Sequence, residues 1–250
     1  KGPVLGSMFA AAVRADPEQL PGDVADSKSL TAPRREGLAV AIREQAVATA
    51  VVEMPVSRID NPDTDMNGLT VTAHADALAG VTDSAEEGES DHRNGLTVYL
   101  DAADTNAVRF ERRVGDRLDS PPDLQAKHRA DENHAVVSAA SILAKVSRDA
   151  HIADLAAEFG DVGSGYPGDP TTREFLKGFV GEHGRLPDCA RASWQTSQDV
   201  LAERAQVALS DFERDDGPQR SLSEFLQHPA VSSREVTDHT LSRSTPGAPL

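Results

Sequence analysis

The stretch Leu96-Thr97-Val98-Tyr99-Leu100-Asp101-Ala102-Ala103-Asp104 decides how this chain is read. Four β-prone residues, Leu96 to Tyr99, run straight into a carboxylate, which places Asp101 at the end of a buried strand. A carboxylate at the carboxyl edge of a central strand is held by a rigid scaffold yet faces solvent, the geometry that a metal ion or a general acid–base group needs. The same letters also fit a strand followed by an acidic turn, because Asp is a common turn former. The flanking segments separate the two readings.

A chain of 250 residues can bury a real core and hold one main domain with an appendage. Its formal charge of −16 would ordinarily argue against a nucleic-acid ligand, whose phosphates attract basic surfaces. The lysines, however, are only Lys1, Lys28, Lys127, Lys145 and Lys177, so arginine carries most of the positive charge and Asp and Glu most of the surface. That mixture reads as adaptation to high salt. In concentrated salt the screening length falls to roughly 3 Å at 1 M, so an acidic surface no longer repels phosphate at a distance. The lone Cys189 excludes an internal disulfide and, with no membrane-length apolar run and no signal peptide, implies a reducing, cytoplasmic setting.

Working outward, Lys1 to Val13 reads as a Gly-Pro turn entering a strand, and the spacing of Leu38, Ile42 and Val47 predicts a helix over Arg34–Thr49 that starts near Pro33. Val51–Arg58 reads as a strand, Met66–Leu78 as a helix, and Gly80–Gly95 as a solvated acidic loop. Val136–Phe159 is the longest helical pattern, burying Ala140, Ile142, Leu143, Val146, Ile152 and Leu155. Gly163–Gly168 is a glycine-rich loop, Asp169-Pro170 starts a helix through Phe179, and Ala192–Leu209 is a further helix. Beyond Asp211 the chain reads as a largely disordered polar tail. Strands early and helices late, without repeats, give an α/β domain over 1–210 with a helical C-terminal part, followed by the tail 211–250.

Two carboxylates, Asp101 and Asp131, sit where regular elements end or begin. If folding joins them, a divalent cation is the usual relief of their repulsion, and oxygen ligands suit Mg²⁺ or Mn²⁺. The alternative is that Asp101 ends a strand and Asp131 caps something nearby. Asp104 and Glu132 read as helpers or surface charges. The loop GSGYPG lacks the Lys-Ser/Thr ending of a P-loop, and Asp101-Ala102-Ala103-Asp104 lacks the Asp-x-Asp spacing of a phosphoaspartyl phosphatase. Tyr166 on that loop is either a packing anchor or a platform that stacks on a sugar or base, worth roughly 1 to 3 kcal/mol.

Taken together, KGPVLGSMF, DSKSLT with RRE, VYLDAADTNAVRF, KHRAD, VVSAASILAKVSRD and GSGYPGDPTTREFL occur in the order and wording of archaeal ribonuclease HII, a type 2 ribonuclease H. The resemblance covers Lys1 to about Ala208. It implies a ribonuclease H-like mixed β-sheet flanked by helices, with a C-terminal helical subdomain. The activity implied is endonucleolytic hydrolysis of RNA in RNA/DNA hybrids and at ribonucleotides embedded in duplex DNA, by two-metal catalysis that leaves 3′-hydroxyl and 5′-phosphate ends. Asp101 and Asp131 resemble metal-binding catalytic acids. Lys1-Gly2 resembles the end of the family's Gly-Arg/Lys-Gly turn, whose backbone senses the ribose 2′-hydroxyl. Tyr166 resembles the tyrosine that stacks at the RNA-to-DNA junction, and Lys28 a phosphate contact.

One departure matters: the family's Asp-Glu-Ala-Gly segment, which supplies two more acids, belongs immediately before Lys1. The chain as it stands is therefore expected to bind metal weakly and to be inactive, and a chain carrying that segment to be active. In the tail, Gln219, Leu222 and Phe225 fit the Gln-x-x-Leu-x-x-aromatic pattern of peptides that bind a replication sliding clamp, against the plain reading of an amphipathic turn. A rival function is a non-catalytic, clamp-tethered binder of hybrid duplexes; a generic metal phosphohydrolase suits the Tyr166 loop and the basic run before Asp131 less well. A monomer is expected.

Overall fold

The computed structural model describes residues 2–26, 30–82 and 96–214. The chain divides into a compact unit, Lys1–Val207, and a second unit, Ala208–Leu250. Within the first, β1 (Met8–Arg14) pairs antiparallel with β2 (Ala48–Met54) in one-to-one register from Met8↔Met54 to Arg14↔Ala48. Helix α1 (Ala32–Gln45) joins them, with Pro33 in its first turn. The helix expected to reach Thr49 stops at Gln45, and the strand expected from Val51 begins at Ala48. The reason is a tertiary one: the Val47 N–H donates to the Arg14 carbonyl at 2.8 Å, opening the ladder where helical spacing would have continued. Val47, read as part of a buried stripe, is 71% exposed.

A single turn, α2 (Val56–Ile59), leads to α3 (Met66–Thr82), one turn longer than its sequence pattern suggests. The Leu96 stretch forms β3 (Thr97–Asp101), which pairs parallel with β4 (Asp123–Lys127). Between them lies α4 (Ala107–Gly115), capped by the Asn106 side chain accepting from the Arg109 N–H at 2.9 Å. Neither α4 nor β4 stands out in the sequence. In α4 only Phe110 and Val114, one turn apart, are buried, and β4 reads Asp-Leu-Gln-Ala-Lys. Helices α5 (Ala135–Phe159), α6 (Pro170–His183) and α7 (Gln195–Arg214) complete the order. On α5, Ile142, Leu143 and Leu155 are buried as expected, whereas Ala140, Val146 and Ile152 are half-buried. Helix α7 starts three residues after Ala192, because Asp60 accepts from the Ala192 and Ser193 N–H groups at 2.7 and 3.0 Å and holds them in a turn.

β1 is covered on both faces. Met8 and Ala10 pack with Leu69 and Ala73, and Ala12 with Val71, Ala75 and Leu78, all from α3. Ala11 and Val13 point the other way, into the cluster of Leu38 and Ile42 from α1 with Ala139, Ile142 and Leu143 from α5. The mixed strand directions of a ribonuclease H-like sheet are present, but as two separate ladders: no backbone ladder joins β1 to β3 among the described residues. No described helix is long and apolar enough to cross a membrane.

A fourth cluster packs Val4 and Leu5 against Leu155, Val162, Leu176, Val180 and Cys189. Burial pushes the Cys189 thiol from its ordinary 9.0 up to about 11. Because the folded value lies above the unfolded one, the thiol's contribution to stability is complete below about pH 9 and is lost as pH rises through 11. Alkylation by iodoacetamide at pH 8 is expected to be about a hundredfold slower in the native chain than in urea, followed by mass spectrometry.

Candidate functional site

Asp101 is the last residue of β3, half-buried, and its Oδ1 accepts the Ala130 N–H at 3.3 Å. That contact spans twenty-nine residues and hooks the short 3₁₀ turn Ala130–Glu132 onto the end of the strand. Asp131, the residue after Ala130, is thereby brought beside Asp101. The turn is built from below by the parallel register, in which Asp101 lies opposite Lys127 and the Ala102 N–H donates to the Lys127 carbonyl at 2.9 Å. Arg129 then bends the chain sharply: its φ of +58° is the left-handed region, and its side chain pairs with Glu132 at 2.7 Å. For a residue with a Cβ this conformation costs about 1 to 2 kcal/mol, which the pairing and the Asp101 contact offset.

His134 follows, its ring stacked on Tyr99 at 3.7 Å, with the Lys127 ammonium 5.8 Å from the Tyr99 centroid. Burial, with Lys127 nearby, pulls the His134 imidazole below its ordinary value, so it is neutral at neutral pH. Asp104, read from sequence as a helper or surface charge, is 9% exposed and bound by Arg109 through Nε at 3.0 Å and Nη2 at 2.5 Å. The Arg109 guanidinium holds its carboxyl well below the usual carboxylate range. Asp104 is thus committed to fixing the β3–α4 connection.

A second group of the expected residues also meets. The Val4 and Leu5 N–H groups donate to the Gly165 carbonyl at 2.8 and 3.2 Å, which lays the N-terminal segment on the glycine loop. Gly2 comes close to Tyr166: a Cβ at Gly2 would lie 3.4 Å from the tyrosine ring. Tyr166 is 45% exposed, and the Arg148 guanidinium sits 4.7 Å from its centroid while donating to the Ser164 carbonyl and to Asp149. Fully buried Thr172 organises the loop, accepting from the Gly165 N–H at 2.9 Å and donating to the Val162 carbonyl at 2.9 Å. Arg148 gives no sequence signal as a support for Tyr166, because eighteen residues separate them.

Gly165 has a φ of +77°, and a Cβ there would meet Ile152 Cδ1 at 2.9 Å. Gly165→Ala should therefore destabilise the fold by about 1 to 2 kcal/mol, chiefly from left-handed strain, because the Ile152 terminal methyl can move aside. The check is the urea midpoint, with the slope unchanged.

Lys1 and Lys28, and Gln219, Leu222 and Phe225 of the tail, lie outside the described residues. Among the described residues no group of three or more His, Cys, Asp and Glu side chains gathers into a metal-binding cluster. The Ala130 N–H bond to Asp101 sets Asp131 one residue along the chain from that strand end.

The ribonuclease HII family model matches residues 1–197. A protein named Ribonuclease HII from Haloarcula marismortui is 57% identical over 212 residues, covering 85% of this chain and 96% of that protein. Another from Halobacterium salinarum is 54% identical over 213 residues, covering 85% and 95%. Among solved structures, the ribonuclease H2 from Pyrococcus horikoshii aligns with a TM-score of 0.71 at 31% identity, covering 82% of this chain and 95% of that one. The PCNA:RNase HII complex from Archaeoglobus fulgidus aligns at 0.68 and 30%, covering 90% and 95%. With a strand-end aspartate bonded to the backbone of Ala130, the residue before a second acid, and matches across nearly all of the compact unit, the chain belongs to the ribonuclease HII family of endoribonucleases.

Proposed function

We propose that this protein hydrolyses the RNA strand of RNA/DNA hybrids, and the phosphodiester at ribonucleotides embedded in duplex DNA, at a metal site to which Asp101 and Asp131 contribute. The observation that supports this most is the Ala130 N–H to Asp101 contact, which ties the segment carrying Asp131 to the strand end carrying Asp101. Their carboxylate oxygens are hard donors suited to Mg²⁺ or Mn²⁺. Two carboxylates hold such ions weakly, and the Asp-Glu-Ala-Gly segment implied by the resemblance would supply two more. Bound ions at such a site supply charge neutralisation on the phosphate and a water of lowered pKa.

The chain's own groups do the rest. Asp101 keeps its second oxygen available while the first is held by Ala130. The Gly2 backbone and the Tyr166 ring, adjacent in space, receive the ribose and the neighbouring sugar or base. Lys1 and Lys28 contribute to substrate binding, as the resemblance implies. The products carry 3′-hydroxyl and 5′-phosphate ends. Gln219, Leu222 and Phe225 tether the enzyme to a sliding clamp, a reading supported by the Archaeoglobus fulgidus relative having been solved with PCNA.

The test compares hybrid cleavage in Mg²⁺ or Mn²⁺, at high salt, by Lys1–Leu250 and by the same chain preceded by Asp-Glu-Ala-Gly. Cleavage by the longer chain only is expected. Strong turnover by the shorter one would refute the assignment of two acids to the added segment. Hybrid binding without cleavage by the longer one would favour a non-catalytic binder.

A further inference from the structure

Arg148, His151, Ile152 and Leu155 follow the spacing i, i+3, i+4, i+7 and so share one face of α5. Arg148 sits against the Tyr166 ring, and Ile152 lies where a Cβ at Gly165 would fall. His151 and Leu155 crowd Gly6 in the same way: a Cβ there would come within 2.7 Å of the imidazole Cδ2 and 3.4 Å of Leu155 Cδ1. Gly6 also has a φ of +75°, so a glycine at this position lets the turn form and the imidazole close on it. One rigid helix face thus touches both the loop that carries Tyr166 and the segment that carries Gly2.

The backbone groups of Gly6 and Ser7 are served from two sides. The Gly6 N–H donates to the Cys189 carbonyl at 2.8 Å, and Arg191 holds the Gly6 and Ser7 carbonyls. The Ser7 N–H goes instead to α5, donating to His151 Nε2 at 3.2 Å, and Ser7 is 5% exposed. A ring nitrogen that accepts carries no proton, so this donor fixes the tautomer with the hydrogen on Nδ1. The Glu53 carboxylate of β2 lies 4.0 Å from that Nδ1, and Phe9 of β1 meets the ring edge-on with centroids 5.6 Å apart. Both strands therefore orient the imidazole so that its acceptor is aimed at Ser7.

We propose that His151 is a positioning residue for ribose recognition: by accepting the Ser7 N–H it keys the N-terminal segment to the helix face that supports Tyr166, and so sets the Gly2 backbone at a fixed distance from the ring. Leu155 and Ile152 hold the same segments by contact, which resists compression but not sliding. The hydrogen bond supplies the direction that contact lacks. The proposal rests on the reading of Gly2 and Tyr166 as the seat of the ribose.

The experiment uses the full 250-residue chain with divalent cations chelated, and two labelled probes: a DNA duplex carrying one embedded ribonucleotide, and the same duplex in DNA alone. By fluorescence anisotropy the native chain is expected to bind the first at least about tenfold more tightly. In His151→Leu, which fills the space but accepts nothing, that preference should fall to within about twofold. Amide exchange at Ser7 should quicken at least about tenfold in this variant, while Gly6, bonded to Cys189, stays within about threefold. His151→Gln carries a carbonyl oxygen at the level of Nε2 and should return both readouts to within about threefold of the native chain. Should leucine prevent folding, His151→Asn takes its place with the same expected losses, since its acceptor falls short of Ser7. A native chain that does not distinguish the duplexes would overturn the ribose reading and this proposal with it. Preference retained without the acceptor, loss that glutamine does not rescue, unchanged exchange at Ser7, or equal quickening at Gly6 and Ser7 would overturn the proposal alone.

Discussion

Asp101→Asn, placed in a chain that carries Asp-Glu-Ala-Gly ahead of Lys1, should lower kcat for hybrid hydrolysis by at least about a hundredfold while leaving the fold intact. The two halves of that expectation have separate causes. Structurally, Asp101 contributes one acceptor, used by the Ala130 N–H at 3.3 Å, and the Asn side-chain carbonyl can accept the same bond. Chemically, the amide removes the negative charge that would hold a divalent cation at the end of β3. Circular dichroism and the urea midpoint should therefore scarcely move while turnover collapses. A variant that unfolds would show that Asp101 serves to hold the 3₁₀ turn. A folded variant with undiminished turnover would remove Asp101 from the chemistry.

Arg191→Met should cost about 3 to 5 kcal/mol of stability, the largest loss expected from a single substitution away from the acids. Arg191 is fully buried, donates from Nε to the Gly6 carbonyl at 2.8 Å and from Nη2 to the Ser7 carbonyl at 3.0 Å, and its guanidinium lies 4.8 Å from the Trp194 ring centroid. Burial pulls its pKa down to about 10, so it remains charged at neutral pH. Methionine fills similar space but leaves those two buried carbonyls without these donors, at the turn that feeds β1 and lays Gly2 near Tyr166. The urea midpoint should fall sharply, and Arg191→Lys should recover only part of the loss because one ammonium does not reproduce a planar fork. A change below about 1 kcal/mol would mean that water readily replaces the guanidinium.

The elements legible in the sequence were those whose burial leaves a period or a punctuation mark. The α5 stripe of Ile142, Leu143 and Leu155, the Asp169-Pro170 start of α6, and the β3 run into Asp101 all carry their structural cause in adjacent letters. The positions of Asp101 and Asp131 in the fold were legible for the same reason: each lies where a regular element meets a turn. The adjacency of Gly2 and Tyr166 was not legible, since nothing local says that Val4 and Leu5 will bond to Gly165.

What the sequence by itself determined was the set of candidate groups and most of the regular segments, because helix period, capping and β-branched runs are properties of near neighbours. Tertiary structure alone decided where α1 yields to β2, since the Arg14 carbonyl that claims Val47 is thirty-three residues away in sequence. It also decided that the unremarkable letters Asp123–Lys127 are a strand, because β3 supplies the edge. Asp104 is a bound structural anion only because α4 turns Arg109 back onto it. Hydrogen bonds and ion pairs between distant segments become favourable once chain entropy has been spent on bringing those segments together, and no local pattern records that closure.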